Sequence, residues 1–241
     1  MHIVPVLDLK AGEVVRGIAG ERTSYRPILS RLTPSSKPLD VAQAFRVEFG
    51  LSEFYLADLD AIAGRDPAYS VYSALRELGC RIWVDAGVRA DDALAGKIAG
   101  VVDRLVVGLE TIAGPKALAQ VLKKVRRERV VFSLDLKNGI PLCQTSWKSD
   151  EAWGIVLEAV EMGVARILVL DLRRVGVNEG PGTEELCKKI SRAYPHIEIA
   201  AGGGIRNRGD LLRLRDAGVA VAIVASALHD GRISRQDLDD L

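Results

Sequence analysis

The amino-acid sequence predicts an α/β protein with the fold of a TIM (βα)8 barrel, built by internal duplication of a half-barrel. Eight short apolar runs, each typical of a buried parallel strand, alternate with helical segments within 241 residues, the usual size of this barrel. The motif LDLKAG at 7–12 also returns as LDLKNG at 134–139, and further motifs repeat after each in the same order. An open, doubly wound sheet is the rival fold, but it ordinarily lacks such a half-and-half repeat.

The predicted elements follow one another along the whole chain. The strands are expected at 3–7, 53–58, 81–85, 104–108, 130–135, 166–171, 197–201 and 221–226. Residue pairs and triplets that favour helix starts stand at 66–67, 114–115, 149–151 and 183–185. No linker interrupts this pattern, so residues 1–241 are predicted to form a single barrel domain.

Composition argues against several classes of protein. The chain has 33 Lys and Arg against 32 Asp and Glu, so bulk electrostatics favour neither nucleic acid nor a membrane surface. The first strand follows no basic-then-apolar leader, and the apolar run at 219–228 is too short to span a bilayer. Three cysteines without metal-type spacing suit a reducing compartment, so we expect a cytoplasmic protein. Because the three histidines are isolated, we expect no metal and no cofactor.

Acidic residues stand at the carboxyl ends of five predicted strands, where the functional loops of a TIM barrel meet. They are Asp8, Asp58, Asp85, Asp135 and Asp171. Each of them could simply cap a turn or pair with a nearby Lys or Arg. Asp8 and Asp135 fit that reading least, because the repeat places them on opposite strands of the barrel. Two carboxylates that face each other across a pocket can divide the roles of general base and general acid.

A phosphate site is predicted on the loops after the last two strands. The sequence AGGGIR at 201–206 follows the seventh strand, and VASA at 224–227 follows the eighth. This is where barrels commonly bind phosphate with backbone N–H groups at the start of a short helix. We therefore predict phosphate binding at Gly202, Gly203, Gly204, Ala225 and Ser226, although tight turns also use glycine. The partner would be a small phosphorylated metabolite.

A long loop separates the first strand from its helix. It covers residues 20–38, contains three prolines, and is predicted to be a mobile lid over the mouth of the barrel. Lys10, which lies two residues beyond Asp8, is predicted to contact the substrate. Lys10 and Lys137 could instead form salt bridges with the neighbouring Asp residues, and Lys10 could form a Schiff base if it were desolvated.

The order of these motifs resembles the HisA/HisF family of histidine biosynthesis nearly from end to end. The matching segments are LDLKAGEVVRG at 7–17, SLD at 133–135, DLRRVG at 171–176, GP at 180–181, GGGIR at 202–206 and ALHDGRI at 227–233. The resemblance implies a duplicated half-barrel with two phosphate sites that performs an Amadori-type aldose-to-ketose rearrangement. It makes Asp8 the base and Asp135 the acid, and it adds Asp171 as a third catalytic candidate. Trp147 would stack on the substrate, or would pack as a loop aromatic on the rim.

Three departures from the family pattern bear on the substrate. Where the family has a second glycine cradle for phosphate after the third strand, this chain has Asp85, and Glu110 follows the fourth strand. A carboxylate about 4 Å from a phosphate costs several kcal/mol at an intermediate dielectric, so the first phosphate site is expected to be lost or to recruit a cation. Asp85 and Glu110 would then meet another part of the substrate. After the sixth strand, Val-Gly-Val at 175–177 replaces the family's Asp-Gly-Thr.

Three functional hypotheses follow. The one we favour is an enzyme of a third HisA/HisF-related branch, acting on a singly phosphorylated substrate whose far end is neutral or cationic. Chains of this kind are associated, by resemblance, with methanopterin-linked one-carbon metabolism. The first alternative is the isomerase of the phosphoribosylformimino aminoimidazole carboxamide ribotide. The second is a non-catalytic barrel that binds a phosphorylated metabolite or a protein partner.

Overall fold

The computed structural model describes residues 1–89, 92–143 and 147–241, with the side chain of Asp92 excepted. Its strands, in chain order, are β1 (His2–Lys10), β2 (Glu13–Arg16), β3 (Arg26–Pro27), β4 (Glu53–Asp58), β5 (Arg81–Asp85), β6 (Arg104–Gly108), β7 (Val130–Lys137), β8 (Ile140–Pro141), β9 (Arg166–Asp171), β10 (Glu198–Gly202) and β11 (Val221–Val224). β1, β4, β5, β6, β7, β9, β10 and β11 pair in parallel in that order, and β11 pairs with β1. The predicted closed (βα)8 barrel is therefore confirmed.

Helices surround this barrel. The helices of the described residues are α1 (Pro38–Phe49), α2 (Leu59–Ile62), α3 (Tyr69–Glu77), α4 (Asp92–Val101), α5 (Pro115–Lys124), α6 (Ala152–Glu161), α7 (Glu184–Ala193), α8 (Arg208–Asp216), α9 (Ser226–His229) and α10 (Arg235–Asp239). None of these helices has the length and apolar character needed to cross a membrane. Three of the four predicted helix starts agree with α5, α6 and α7.

The fourth predicted helix start, at 66–67, was wrong. Helix α3 begins two residues later, at Tyr69. The reason lies in the preceding strand, because the Asp58 carboxylate accepts the backbone N–H of Ala68 at 2.8 Å. Asp58 therefore holds the residue that precedes the helix, and Asp66 does not cap it.

Apolar side chains fill the inside of the barrel. The interior is packed by Val4, Tyr55, Trp83, Val106, Val131, Leu168, Ala200 and Val221. A second layer of apolar side chains lies between the strands and the helices. Because the interior is packed, the barrel is not a pore, and loops at one end must provide any binding site.

A charged cluster lies at the opposite, amino-terminal end of the barrel. The buried carboxylate of Glu53 accepts hydrogen bonds from Trp83 Nε1 at 2.6 Å and Arg81 at 2.5 Å, and its Oε2 lies 3.1 Å from His2 Nε2. Burial raises the pKa of Glu53, but these hydrogen bonds and the charges of Arg81 and Arg104 outweigh burial and lower it to about 2. The cluster holds the amino-terminal ends of the first strands together.

The two halves of the barrel repeat a bracing contact. The turn after β1 has positive φ at Ala11 and Gly12, and Asp60 accepts the Ala11 N–H at 2.6 Å. The turn after β7 has positive φ at Asn138 and Gly139, and Asp171 accepts both of their N–H groups, at 3.1 and 2.8 Å. The half-barrel repeat therefore extends to the hairpin that follows the first strand of each half.

Candidate active site

A cavity lies at the carboxyl ends of the barrel strands. The predicted site residues among its lining are Asp8, Asp85, Glu110, Asp135, Gly203, Gly204, Ala225 and Ser226. The four acids come from β1 and from β5 to β7, whereas the other four residues follow β10 and β11. The cavity therefore has an acidic side and a glycine-rich side.

Burial controls the protonation of three acids in this cavity. Burial raises the pKa of Asp8 to about 7, although the charge of Arg22 opposes the shift. It raises the pKa of Asp85 to about 7 and that of Asp135 to about 8, with Glu110 adding to both shifts. An Asp far from water loses solvation when it ionises, so these groups titrate near neutral pH, where acid–base catalysts are most effective.

The environments of Asp8 and Asp135 differ. Asp135 accepts a hydrogen bond from Ser133 Oγ at 2.6 Å and from the Glu110 N–H at 3.2 Å. The side-chain carboxylate of Asp8 accepts no hydrogen bond within the described part of the chain. The glycine at position 17 leaves room for Asp8, because a Cβ there would lie 2.8 Å from its Oδ2 atom. Asp8 is thus the acid whose hydrogen-bonding capacity is open to a substrate.

Protein acceptors use four of the backbone N–H groups around the acidic side. The Gly87 N–H donates to Asp85 at 2.9 Å, and the Glu110 N–H donates to Asp135. The N–H of Leu109 donates to the Ser133 carbonyl at 2.9 Å, and that of Thr111 to the Gly108 carbonyl at 3.1 Å. The Arg89 guanidinium turns away and donates to the carbonyls of Gly87 and Ile62. These donors are committed within the protein, so they do not form a phosphate cradle.

On the glycine-rich side of the cavity, by contrast, three backbone N–H groups lack a protein acceptor within the described ranges. Gly203 and Gly204 have φ of +82° and +76°, and a Cβ on Gly204 would lie 2.6 Å from the Gly180 carbonyl. Glycine is therefore required at this turn. The loop and turn hydrogen bonds of the described residues do not use the N–H groups of Gly203, Gly204 or Ser226. Three donors consequently face one side of the cavity, which is suitable for an anion.

A segment of the loop after β2 covers the cavity. Residues 17–25, which we call the entry loop, contribute Gly17, Gly20, Arg22 and Tyr25 to its lining. The Arg22 guanidinium forms a salt bridge with Glu110 inside the mouth. Beyond the entry loop, Ile28 of the predicted lid also lines the cavity and is only 6% exposed, whereas Leu29 is 84% exposed. Part of the predicted lid therefore lies over the mouth, namely residues 20–25 and Ile28, and its mobility stays a prediction.

Comparison with known proteins agrees with this architecture. The family model described as "Histidine biosynthesis protein" matches residues 2–234. The chain belongs to this family. A relative from Thermus thermophilus, named 1-(5-phosphoribosyl)-5-((5-phosphoribosylamino)methylideneamino) imidazole-4-carboxamide isomerase, is 31% identical over 97% of this chain and 96% of its own. An isomerase of the same name from Streptococcus sanguinis is 25% identical over 100% of this chain and 98% of its own.

A further relative in the histidine biosynthesis family carries no activity in its name. It is an uncharacterized protein of Methanocaldococcus jannaschii, 27% identical over 99% of this chain and 97% of its own. Its identity to this chain lies between those of the two isomerases, so the family contains chains of comparable similarity with and without an assigned activity.

Four of the predicted site residues do not line the cavity. Lys10 Nζ donates to the Arg22 carbonyl at 2.6 Å and does not pair with Asp8. Trp147 is buried against Phe132, with ring centroids 5.6 Å apart. Asp171 accepts three backbone N–H groups, and Gly202 ends a strand where a side chain would clash with Ile223. The substrate-binding roles of Lys10 and Trp147 stay predictions. The contacts of Asp171 brace the neighbouring loops, and Gly202 allows close packing against Ile223.

Sequence reasoning missed five polar residues of the cavity lining. They are Arg16, Arg22, Tyr25, Tyr55 and Asn178. Arg16 lies within a recognised family segment and Asn178 two residues beyond another, so the motifs were the available signal for these two. Arg22 and Tyr25 lie in a loop without periodicity, where nothing in the sequence distinguishes a side chain that points inward from one that points outward. No group of three His, Cys, Asp or Glu side chains arranged to hold a metal occurs within the described ranges.

Proposed function

We propose that the chain is an acid–base enzyme of a distinct HisA/HisF-related branch, acting on a metabolite with a single phosphate group. The observation that carries the proposal is the contrast between the two sides of the cavity. Backbone N–H groups are open at Gly203, Gly204 and Ser226, whereas those of Gly87 and Glu110, beside the acids, donate to the carboxylates of Asp85 and Asp135. A phosphate gains charge-assisted hydrogen bonds on the first side and meets carboxylates on the second.

Asp8 and Asp135 would share the proton transfers. Burial raises the pKa of Asp8 to about 7 and that of Asp135 to about 8, so both groups can exchange a proton near neutral pH. The family resemblance makes Asp8 the base and Asp135 the acid. Asp8 would remove a proton from carbon next to a C=N or C=O group, and Asp135 would protonate the heteroatom. This division supports an isomerisation of the aldose-to-ketose kind.

The acidic side would select the other end of the substrate. Asp85 and Glu110 lie where the family resemblance expects a second phosphate cradle, and both line the cavity. Carboxylates there favour a neutral hydrogen-bond donor or a cationic group over a second phosphate. The substrate would therefore carry one phosphate and a neutral or cationic far end.

The phosphate site can be tested with inorganic phosphate. Ser226→Glu is expected to weaken phosphate binding by about tenfold or more, because the new carboxylate would share the cradle with the anion. Ser52→Glu, which makes the same charge change in an exposed residue next to β4 at the other end of the barrel, should leave binding unchanged. Isothermal titration of both variants and the parent measures this. Equal affinity in all three proteins, or no binding to the parent, would refute the assignment.

The isomerase of histidine biosynthesis is the second candidate. It is favoured by the 31% identity to the Thermus thermophilus isomerase over 97% of this chain. That relative's name contains two phosphoribosyl groups, so the same reaction here would bring a second phosphate to Asp85 and Glu110. The salt bridge of Arg22 with Glu110 is the neutralising contact that this alternative would need.

The cellular setting follows from the branch that we propose. Cys80, Cys143 and Cys187 are free thiols, which suits a reducing cytoplasm. We extend the proposal to methanopterin-linked one-carbon metabolism, the setting with which this branch is associated by resemblance. A strain that lacks the gene should accumulate a phosphorylated precursor of that metabolism, and an unchanged metabolite profile would exclude this setting.

A further inference from the structure

The entry loop is fastened over the cavity at both of its ends. The N–H of Ala19 donates to the Val175 carbonyl at 2.7 Å. Gly176 passes so close to the Gly17 carbonyl that any side chain at position 176 would clash with it. Further along, Lys10 Nζ donates to the Arg22 carbonyl at 2.6 Å. These contacts fix the backbone on either side of the point where the Arg22 side chain enters the mouth.

Arg22 is the cation nearest to the acids of the cavity. Its guanidinium pairs with the Glu110 carboxylate, and its charge acts on both Asp8 and Asp85. Among the described lining residues, the other cation is Arg16. Arg16 is held by a two-bond salt bridge to Asp230, at 2.9 and 2.7 Å. Arg16 is therefore held at Asp230, which also pairs with Arg232 at 3.1 Å. Of the two lining cations, Arg22 is the one whose charge acts on Asp8 and Asp85.

Arg22 lies on the entry loop, so its positive charge reaches the acids only while that loop covers the cavity. The four acids of the cavity lie on barrel strands or directly after them, and strands hold their positions rigidly. The entry loop that carries Arg22 is held by a few hydrogen bonds, one salt bridge and the buried side chains of Ala19 and Tyr25. If the loop lifts, the acids stay in place and the cation leaves. The charge balance of the site is thus tied to the position of the loop.

We propose that Arg22 is a positioning residue that supplies the counterion of Asp8, Asp85 and Glu110 only when the entry loop is closed. Closure then favours the ionised forms of Asp8 and Asp85, and opening returns protons to them. Ionisation of Asp8 and Asp85 is therefore favoured only after the entry loop has covered the cavity. The catalytic meaning of this coupling rests on the proposed function, but the coupling itself is a property of the ligand-free protein.

Several other groups lie around Arg22 in the cavity or contact its loop, and must be followed in any pH experiment. They are Lys10 and Asp8 on β1, Tyr25 on the entry loop, Tyr55 on β4, Asp85 on β5, Glu110 after β6 and Asp135 on β7. Burial raises the pKa of Tyr25 to about 12 and that of Tyr55 well above its ordinary value, so both phenols remain neutral between pH 5 and 9. The carboxylates are consequently the groups that report on Arg22 in that range.

The experiment compares Arg22→Gln with Arg22→Lys and Arg26→Gln in protein without ligand. Arg26 is the matched control, because it is exposed, lies four residues away and donates to the carbonyls of Thr23 and Tyr25. One readout is the NMR titration of the carboxyl carbons of Asp8, Asp85 and Glu110. The other is the hydrogen exchange rate of the Ala19 amide, which reports on closure of the entry loop.

Arg22→Gln should raise the titration midpoints of Asp8 and Asp85 by about half a pH unit or more, because the nearby cation is removed. It should also speed exchange of the Ala19 amide about threefold or more. Arg22→Lys should lie nearer the parent in the titrations, and Arg26→Gln, which removes a cation that pairs with no described acid of the cavity, should match the parent in the titrations. Unchanged titrations with faster exchange would show a purely structural contact, and unchanged exchange would show that the charge is not tied to the loop. Either result overturns the proposal, whether or not phosphate binds at Ser226.

Discussion

Replacing either Asp8 or Asp135 by Asn is expected to lower turnover of the true substrate by about 10²–10⁴, with substrate binding kept within a few-fold. The substitution keeps the size of the side chain and removes a group that can carry a proton. Both residues should be needed, because Asp8 and Asp135 take different parts in the proposed reaction. Single-turnover kinetics and equilibrium binding of each variant would measure the effect. If one variant retained full turnover, the division into base and acid would be wrong.

The same substitutions should increase stability, and more so at high pH. The pKa of Asp135 in the folded protein is raised from 3.8 to about 8, so the folded state holds its proton more tightly than the unfolded chain does. Stability is therefore lost as pH rises from about 4 to 8, the reverse of the usual case for a carboxylate. Asp135→Asn removes this loss and should raise the free energy of unfolding by on the order of 3 kcal/mol at pH 9. Its effect should be much smaller at pH 4. An equal effect at both pH values would contradict the raised pKa.

Two other strand-end acids should behave in the opposite way. Asp58 accepts the N–H groups of Ala61 and Ala68 and the hydroxyl of Tyr72, at 3.1, 2.8 and 2.5 Å. Asp171 accepts three backbone N–H groups from two loops. Asp58→Ala and Asp171→Ala are each expected to lower the free energy of unfolding by about 3–5 kcal/mol, because buried donors lose a charged acceptor. Urea denaturation at pH 7 would measure both losses.

Asp8→Ala is the matched control for these variants. Asp8 is also a strand-end acid, but its carboxylate accepts no hydrogen bond within the described residues. Its removal therefore leaves no donor without an acceptor. Its stability should be at least that of the parent. If Asp171→Ala instead kept full stability and lost turnover, Asp171 would be the third catalytic acid that the family resemblance implies.

The barrel could be predicted because its signals are local and repeated. Each strand is a short apolar run, and the LDLK motif occurs twice, at 7–10 and 134–137. The helix start at 66–67 failed for a reason that no local pattern reveals, since Asp58 reaches across ten residues to the Ala68 N–H. Tertiary contacts decided the boundary there.

The site could be predicted in part for a similar reason. Asp8, Asp85 and Asp135 end strands, and the barrel brings all strand ends to one face, so counting strands was enough to group them. Side-chain direction could not be obtained in the same way. Asp171 also ends a strand, yet its carboxylate turns to the neighbouring hairpin and does not face the cavity. Arg22 lies in a loop whose path depends on contacts with Val175 and Lys10, and those contacts are far from it in sequence.

The account depends most on the claim that the acidic side of the cavity rejects a second phosphate. The direct measurement is turnover of the bis-phosphorylated ribotide that the isomerase alternative requires, with the Thermus thermophilus relative as the positive control. The account predicts turnover by this chain at least about 10³-fold below that of the relative, because Asp85 and Glu110 oppose the second phosphate. Turnover within about tenfold of the relative would contradict it, and would mean that Arg22 neutralises the acidic side well enough for the isomerase reaction.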